Sequence, residues 1–149
     1  MEYFIERVED LNSLDITELV QESEKEGYRF VTRLVNEFED GTNRFDKQGE
    51  VLYCIKNNEG SVVAIGGINQ SPFSQKNDEG RLRRFYVLDE VRRKGVGTLL
   101  LQAIIDHAKQ HFDEITVRTD SAKADAFYRA GGFSFDDSAS ETTHILQFS

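Results

Sequence analysis

Apolar residues recur every fourth position in "YRFVTRLVNEFEDG", where Phe30, Leu34 and Phe38 fall on one helical face and Gly41 marks the end. Just before it, "SLDITELVQESEKEG" sets Asp15 and Glu18 at the spacing of an N-terminal capping pair and Gly27 at a stop, which predicts a shorter helix. The β-rich runs of "EVLYCIKNNEGSVVAIGGI" flank a four-residue hairpin turn at 57–60. Residues 2–8, "RLRRFYVL", "EITVRT", "FSF" and "THILQF" read as further strands, and "NQSPFSQKNDEG" as a loop. In "VRRKGVGTLLLQAIIDHAKQH" a long helix carries Leu100 or Leu101, Ile104 or Ile105, and Ala108 on one face, while "SAKADAFYRAGG" is a short helix stopped by Gly131. The order β α α β β β α β α β β predicts an α/β fold, a mixed central sheet with helices on both faces. Without an internal repeat or a linker-like stretch, residues 1–149 read as a single domain.

Composition narrows the class. With 38% hydrophobic, 11% aromatic and 30% charged residues the chain is of ordinary globular type, and at this length roughly two-thirds of the unfolded surface is buried on folding. No apolar run approaches the ~20 residues of a membrane span, and "MEYFIERVED" lacks a basic-then-apolar leader, so no membrane association and a cytoplasmic location are expected. The single cysteine, Cys54, sits in a strand-like run and reads as a small buried hydrophobe rather than a nucleophile.

A net charge of -9 argues against nucleic-acid binding, which rewards basic surfaces. Residues 81–94 nevertheless hold six Lys or Arg against Asp89 and Glu90, a local +4 that leaves -13 on the other 135 residues. A basic spot on an acidic chain suggests a discrete anionic ligand.

Strand, glycine-broken basic turn and helix in sequence make an anion site, because the first helical turn leaves backbone N–H groups unpaired at the positive end of the dipole. The turn is not a Walker loop, since Lys94 precedes Gly95, nor a dinucleotide fingerprint, since 95–100 lacks the third glycine. The pattern Arg92-x-x-Gly95-x-Gly97 resembles the acyl-CoA pyrophosphate signature of the GNAT N-acyltransferase superfamily. The likeness extends through "FYVLDEVRRKGVGTLLL" to "SAKADAFYRAGGF", which is similar to the second family signature, AxxFYxxxGF, and covers about two-thirds of the chain.

The resemblance implies a bulged fourth strand splayed from the fifth, and acetyl-CoA as cosubstrate with no metal. It implies that Phe85, Tyr86 and Val87 line the pantetheine arm and that the backbone of Arg93, Lys94, Gly95, Val96, Gly97 and Thr98 cradles the pyrophosphate; Arg92, which opens the signature, is expected at the cofactor site too, less important than the glycines if its main task is long-range attraction. Amides near Tyr86 and Val87 would face the developing oxyanion. Tyr128, aligned with the family tyrosine, would protonate the leaving thiolate, against a purely packing role for Phe127. Ser121 stands at the cofactor site where relatives often carry Asn. Many relatives place a carboxylate on the fourth or fifth strand, but here those strands offer Arg83, Arg84, Thr116 and Arg118, so the base stays unassigned between Glu37 and a water chain.

The expected acceptor is a primary amine on a small molecule or peptide, with cationic amines favoured by the acidic remainder. A noncatalytic acyl-CoA-binding or regulatory module is the alternative, and a homodimer stays open. His107 and His111, one helical turn apart without an HExxH glutamate, read as a solvated face rather than a metal pair. His144 reads as facing either a pocket or, more often for such a residue, the sheet.

Overall fold

The structure, a computed structural model, describes residues 2–75 and 78–148. Its strands are β1 (Tyr3–Arg7), β2 (Val51–Asn57), β3 (Val62–Gln70), β4 (Glu79–Val87), β5 (Glu114–Val117), β6 (Ser134–Phe135) and β7 (His144–Gln147). The helices are α1 (Thr17–Lys25), α2 (Phe30–Asp40), α3 (Val96–Ala108) and α4 (Ala122–Ala130). One sheet takes them all in the order β1-β2-β3-β4-β5-β7-β6, antiparallel except for β4 and β5. The predicted succession of elements holds, with "NQSPFSQKNDEG" trimmed because β3 runs on to Gln70 and β4 begins at Glu79; residues 76 and 77 of that loop lie outside the described residues.

Helices cover both faces, and two adjacent glycines of β3 mark them. A Cβ on Gly66 would meet Leu100 of α3, whereas one on Gly67 would meet Phe45 on the α2 side. Sandwiched in this way, β3 is buried from Val62 through Asn69, which explains why it reads as a continuous apolar run rather than an alternation. On α3 both members of each predicted pair, Leu100 with Leu101 and Ile104 with Ile105, are buried, because the helix lies flat on the sheet and needs a broad apolar face.

The predicted cap of α1 is half formed. Asp15 accepts from the Thr17 N–H at 3.1 Å, while Glu18 makes no reciprocal bond among the described residues. The histidines differ from a solvated face: His107 donates to the Gly49 carbonyl at 3.1 Å and meets the Tyr53 ring edge-on, so only His111 is exposed. Burial and the neighbouring His111 hold the His107 pKa below its ordinary value. Among the described residues no cluster of metal-ligating side chains forms, and no helix is long and apolar enough to cross a membrane.

Candidate active site

β4 carries the geometry on which the site depends. Its register against β3 slips between Ile65 and Gly67, with one extra residue on β4, and Arg84 there adopts φ +59°, the left-handed conformation of a bulge. Toward β5 it pairs only at Glu79, Gly80 and Arg81. From Leu82 onward the two strands part. The gap is a cavity of about 990 Å³, lined by β4 from Arg81 to Val87, by Tyr28 and Phe30, by Val117–Ser121, by the turn before α3 and by α4.

Leu88 N–H donates to the Val63 carbonyl. Because successive residues of a strand point their polar groups to opposite edges, Tyr86 shares that direction, and Phe85 and Val87 present theirs to the unpaired edge. Val87 rather than Tyr86 is therefore the residue whose amide faces the opening. Tyr86 turns its side chain to α1, where its buried hydroxyl, with one proton to give, lies between the Glu22 carboxylate at 2.7 Å and that of Glu26, and desolvation with these carboxylates pushes its pKa well up.

At the mouth, Arg93 and Gly95 take φ +71° and +81°, and Gly95 forms the N-cap of α3 without a side-chain cap. The first helical bond runs from Leu99 N–H to the Gly95 carbonyl at 3.0 Å. The N–H groups of Gly95, Val96, Gly97 and Thr98 are left to something outside the helix. A Cβ on Gly97 would lie 3.3 Å from Phe127 and 3.6 Å from Val87, so this residue lets α3 approach α4 and the strand. Gly95 has open space around it and is required by its φ alone.

The other residues singled out from sequence fall in different places. Phe85 lines the cavity and packs against Phe127, ring centroids 5.6 Å apart. Arg93, Thr98 and Ser121 line it too, Ser121 also capping α4 by accepting from Ala124 N–H at 3.2 Å. The Val96 side chain points into the core and Lys94 extends into solvent outside the cavity. Arg92 lines the opening, but its guanidinium is engaged: Nη2 lies 2.8 Å from Glu26, and Nε donates to the Val87 carbonyl at 2.9 Å.

Tyr128 is 6% exposed and lines the cavity. Its hydroxyl has no protein hydrogen bond among the described residues and is not sealed from solvent. Burial pushes the phenol up, so it stays protonated at neutral pH. His144 does not reach the cavity. It is buried beneath α4, Nε2 donating to Asp125 at 2.7 Å and Nδ1 lying 2.8 Å from Thr143 Oγ1, with the Tyr128 ring 5.9 Å away.

Glu37 on α2 holds Arg84 at 2.7 Å and does not line the cavity. Among the described residues the charged side chains that line it are cationic apart from Asp120, so the acidic rim expected from net charge is not what the cavity presents. In the sequence Arg83 counts within the basic segment 81–94 and as a strand position without a carboxylate; the signal that singles it out is a pair of adjacent arginines on a strand whose neighbours offer no acid.

The split sheet with a helix N-terminus at its mouth defines the GNAT-type N-acyltransferase fold. A sequence model described as the acetyltransferase (GNAT) family matches residues 13–133, and the chain belongs to that family. Similar solved structures include a candidate acetyltransferase from Exiguobacterium sp. 255-15, at 31% identity over 99% of this chain and 94% of that one, with a TM-score of 0.89. An acetyltransferase of the GNAT family from Staphylococcus aureus Mu50 is 19% identical over 97% and 96% of the two chains, TM-score 0.74. Glucosamine-6-phosphate N-acetyltransferase from Arabidopsis thaliana is 18% identical over 100% and 97%, TM-score 0.62. At these identities the last two share the fold alone. No curated protein matches the chain.

Proposed function

We propose that the protein transfers the acetyl group of acetyl-CoA directly to a primary amine. One juxtaposition carries the reading: Gly95, Gly97 and Thr98, whose N–H groups are unclaimed at the start of α3, and Tyr128, unbonded among the described residues, line the same cavity. The turn offers those N–H groups and the helix dipole to a pyrophosphate. Phe85, on the unpaired edge of β4, offers backbone hydrogen bonds to an extended pantetheine chain, with Val87 beside it lining the same slot.

In the transfer a bond forms between the amine nitrogen and the acetyl carbon, and the carbon–sulfur bond breaks. The Val87 N–H is the donor placed for the negative charge developing on the carbonyl oxygen. Tyr128 gives its proton to the departing sulfur. The amine loses its proton to water, since among the described residues the one cavity-lining carboxylate, Asp120, is paired with Arg118, and Glu37 is held by Arg84.

That scarcity of carboxylates favours a second reading, a module that binds acyl-CoA without turnover. Calorimetric titration with CoA and thiol release from acetyl-CoA across an amine panel separate them. Amine-dependent thiol release matched by acetylated product supports the transferase. Binding without release under every amine supports the module, and absence of CoA binding overturns both.

A further inference from the structure

We infer that the acceptor amine bears an anionic group, a phosphate or a carboxylate, which Arg83 receives on the α2 side of the split sheet; this rests on the transferase reading above. The other arginines of β4, and Arg118 just past β5, all have partners. Arg81 donates to Thr116 at 3.2 Å, to Thr142 at 3.0 Å and to the Glu141 carbonyl. Arg84 pairs with Glu37, and Arg118 with the Ser140 carbonyl and Asp120. Arg83 is half-buried and lines the cavity, yet has neither hydrogen bond nor ion pair among the described residues. A cation withdrawn from water without a partner is costly.

Its surroundings sharpen the cost. Burial first, then the nearby Arg84 and Arg33, hold the Arg83 pKa below its ordinary value despite Glu37 and Glu50. Those two carboxylates are already engaged, Glu37 by Arg84, and Glu50 by the N–H groups of Lys47 at 3.1 Å and Gln70 at 2.8 Å. The Arg84 Nε is itself buried without a partner. The β4–β5 pairing ends at Arg81 and Thr116, so Arg83 stands just where the strands part. An anion there would satisfy the planar fork of Arg83 bidentately.

The phosphates of the cosubstrate do not account for it. Arg83 stands four residues before Val87, roughly 13 Å along the strand at the usual rise per residue. Opposed to Gly67, it projects on the face of Phe45 and α2, whereas Phe85 and Val87 pack toward the α3 and α4 side. A polyamine would bring more positive charge to this end and leave Arg83 uncompensated.

Matched acceptor pairs test the inference: an amino acid against its amide, and phosphorylated amino alcohols and amino sugars against their unphosphorylated forms. Each is assayed for kcat/KM with acetyl-CoA and for calorimetric binding to the CoA-saturated protein, at low and moderate salt. The anionic member should be favoured at least tenfold, the carboxylate and phosphate pairs deciding which anion is meant. Arg83→Gln should cut that preference to within about twofold while leaving CoA affinity unchanged, and Arg83→Lys should retain part of it. Equal or better use of neutral or cationic members, a preference surviving in Arg83→Gln, or no anion preference in either readout overturns the inference. Such results with CoA still bound leave the function reading standing, whereas loss of CoA binding by wild-type protein sinks that reading instead.

Discussion

Arg92 and Glu26, 66 residues apart, meet at 2.8 Å and tie the turn before α3 to the end of α1. The guanidinium also lies over the Tyr86 ring, 5.4 Å from its centroid, with Glu22 at 3.8 Å. Its charge is compensated inside the protein, so long-range attraction of an anion is not its main task. Arg92→Met should lower Tm by about 2–4 °C, as expected for a loss near 1 kcal/mol in a domain of this size. CoA affinity should fall with a loosened turn, but the salt dependence of binding should barely change. A salt slope that flattens markedly would restore the steering role.

The same pair has an acid-side signature. Hydrogen bonds from Arg92 and Tyr86 draw the Glu26 carboxyl down from 4.5 to about 2. A lowered folded pKa stabilises the fold at pH above about 4.5, and that contribution drains away as pH falls through about 2. Glu26→Gln should therefore be less stable than wild type at pH 7, by no more than ~1 kcal/mol given its partial exposure, and the gap should close toward pH 2. Urea unfolding at several pH values measures it; a gap constant with pH would mean the carboxylate charge is not what stabilises.

Two glycines at the mouth should fail for different reasons. Gly95→Ala meets no atoms but must hold φ +81°, so it should cost about 1 kcal/mol and a modest part of CoA affinity. Gly97→Val places branched carbons against Phe127, whose ring is already 3.3 Å from the Cβ position. CoA affinity should fall at least tenfold, with a stability loss of roughly 1–3 kcal/mol from overpacking. Calorimetry beside thermal melts checks both, and unchanged affinity in folded Gly97→Val would remove this turn from the site.

Tyr128→Phe removes a hydroxyl that bonds to no protein atom among the described residues, so the deletion orphans no partner. Stability and CoA affinity should be nearly unchanged, while turnover falls roughly a hundred- to ten-thousand-fold, the usual contribution of a positioned acid. Measured with the best acceptor where chemistry limits the rate, retention of more than about a third of wild-type turnover would leave Tyr128 as a packing residue.

Cys54 lies fully buried in β2, and desolvation pushes its thiol up to about 11. It should be inert to an aromatic disulfide reagent in the native protein, and one thiol per chain should titrate after unfolding in guanidinium. Rapid native labelling would contradict the burial and add a background to thiol-release assays.

The order of elements was legible because each helix and strand writes its own period into the chain: Phe30, Leu34 and Phe38 on α2, the stripe of α3, the apolar run of β3. The glycine turn was legible for a similar reason, since a left-handed residue at a helix start leaves a local mark. Partnership was not. Nothing local says that Arg92 meets Glu26, that Arg84 meets Glu37, that His144 meets Asp125 beneath α4, or that Arg83 meets no partner among the described residues. Charge and reactivity depend on distances between residues far apart in sequence, and on the water excluded between them, so of the five arginines that summed to one basic patch, Arg81, Arg84 and Arg92 became engaged side chains and Arg83 and Arg93 were left facing the cavity only once β4 bulged and parted from β5.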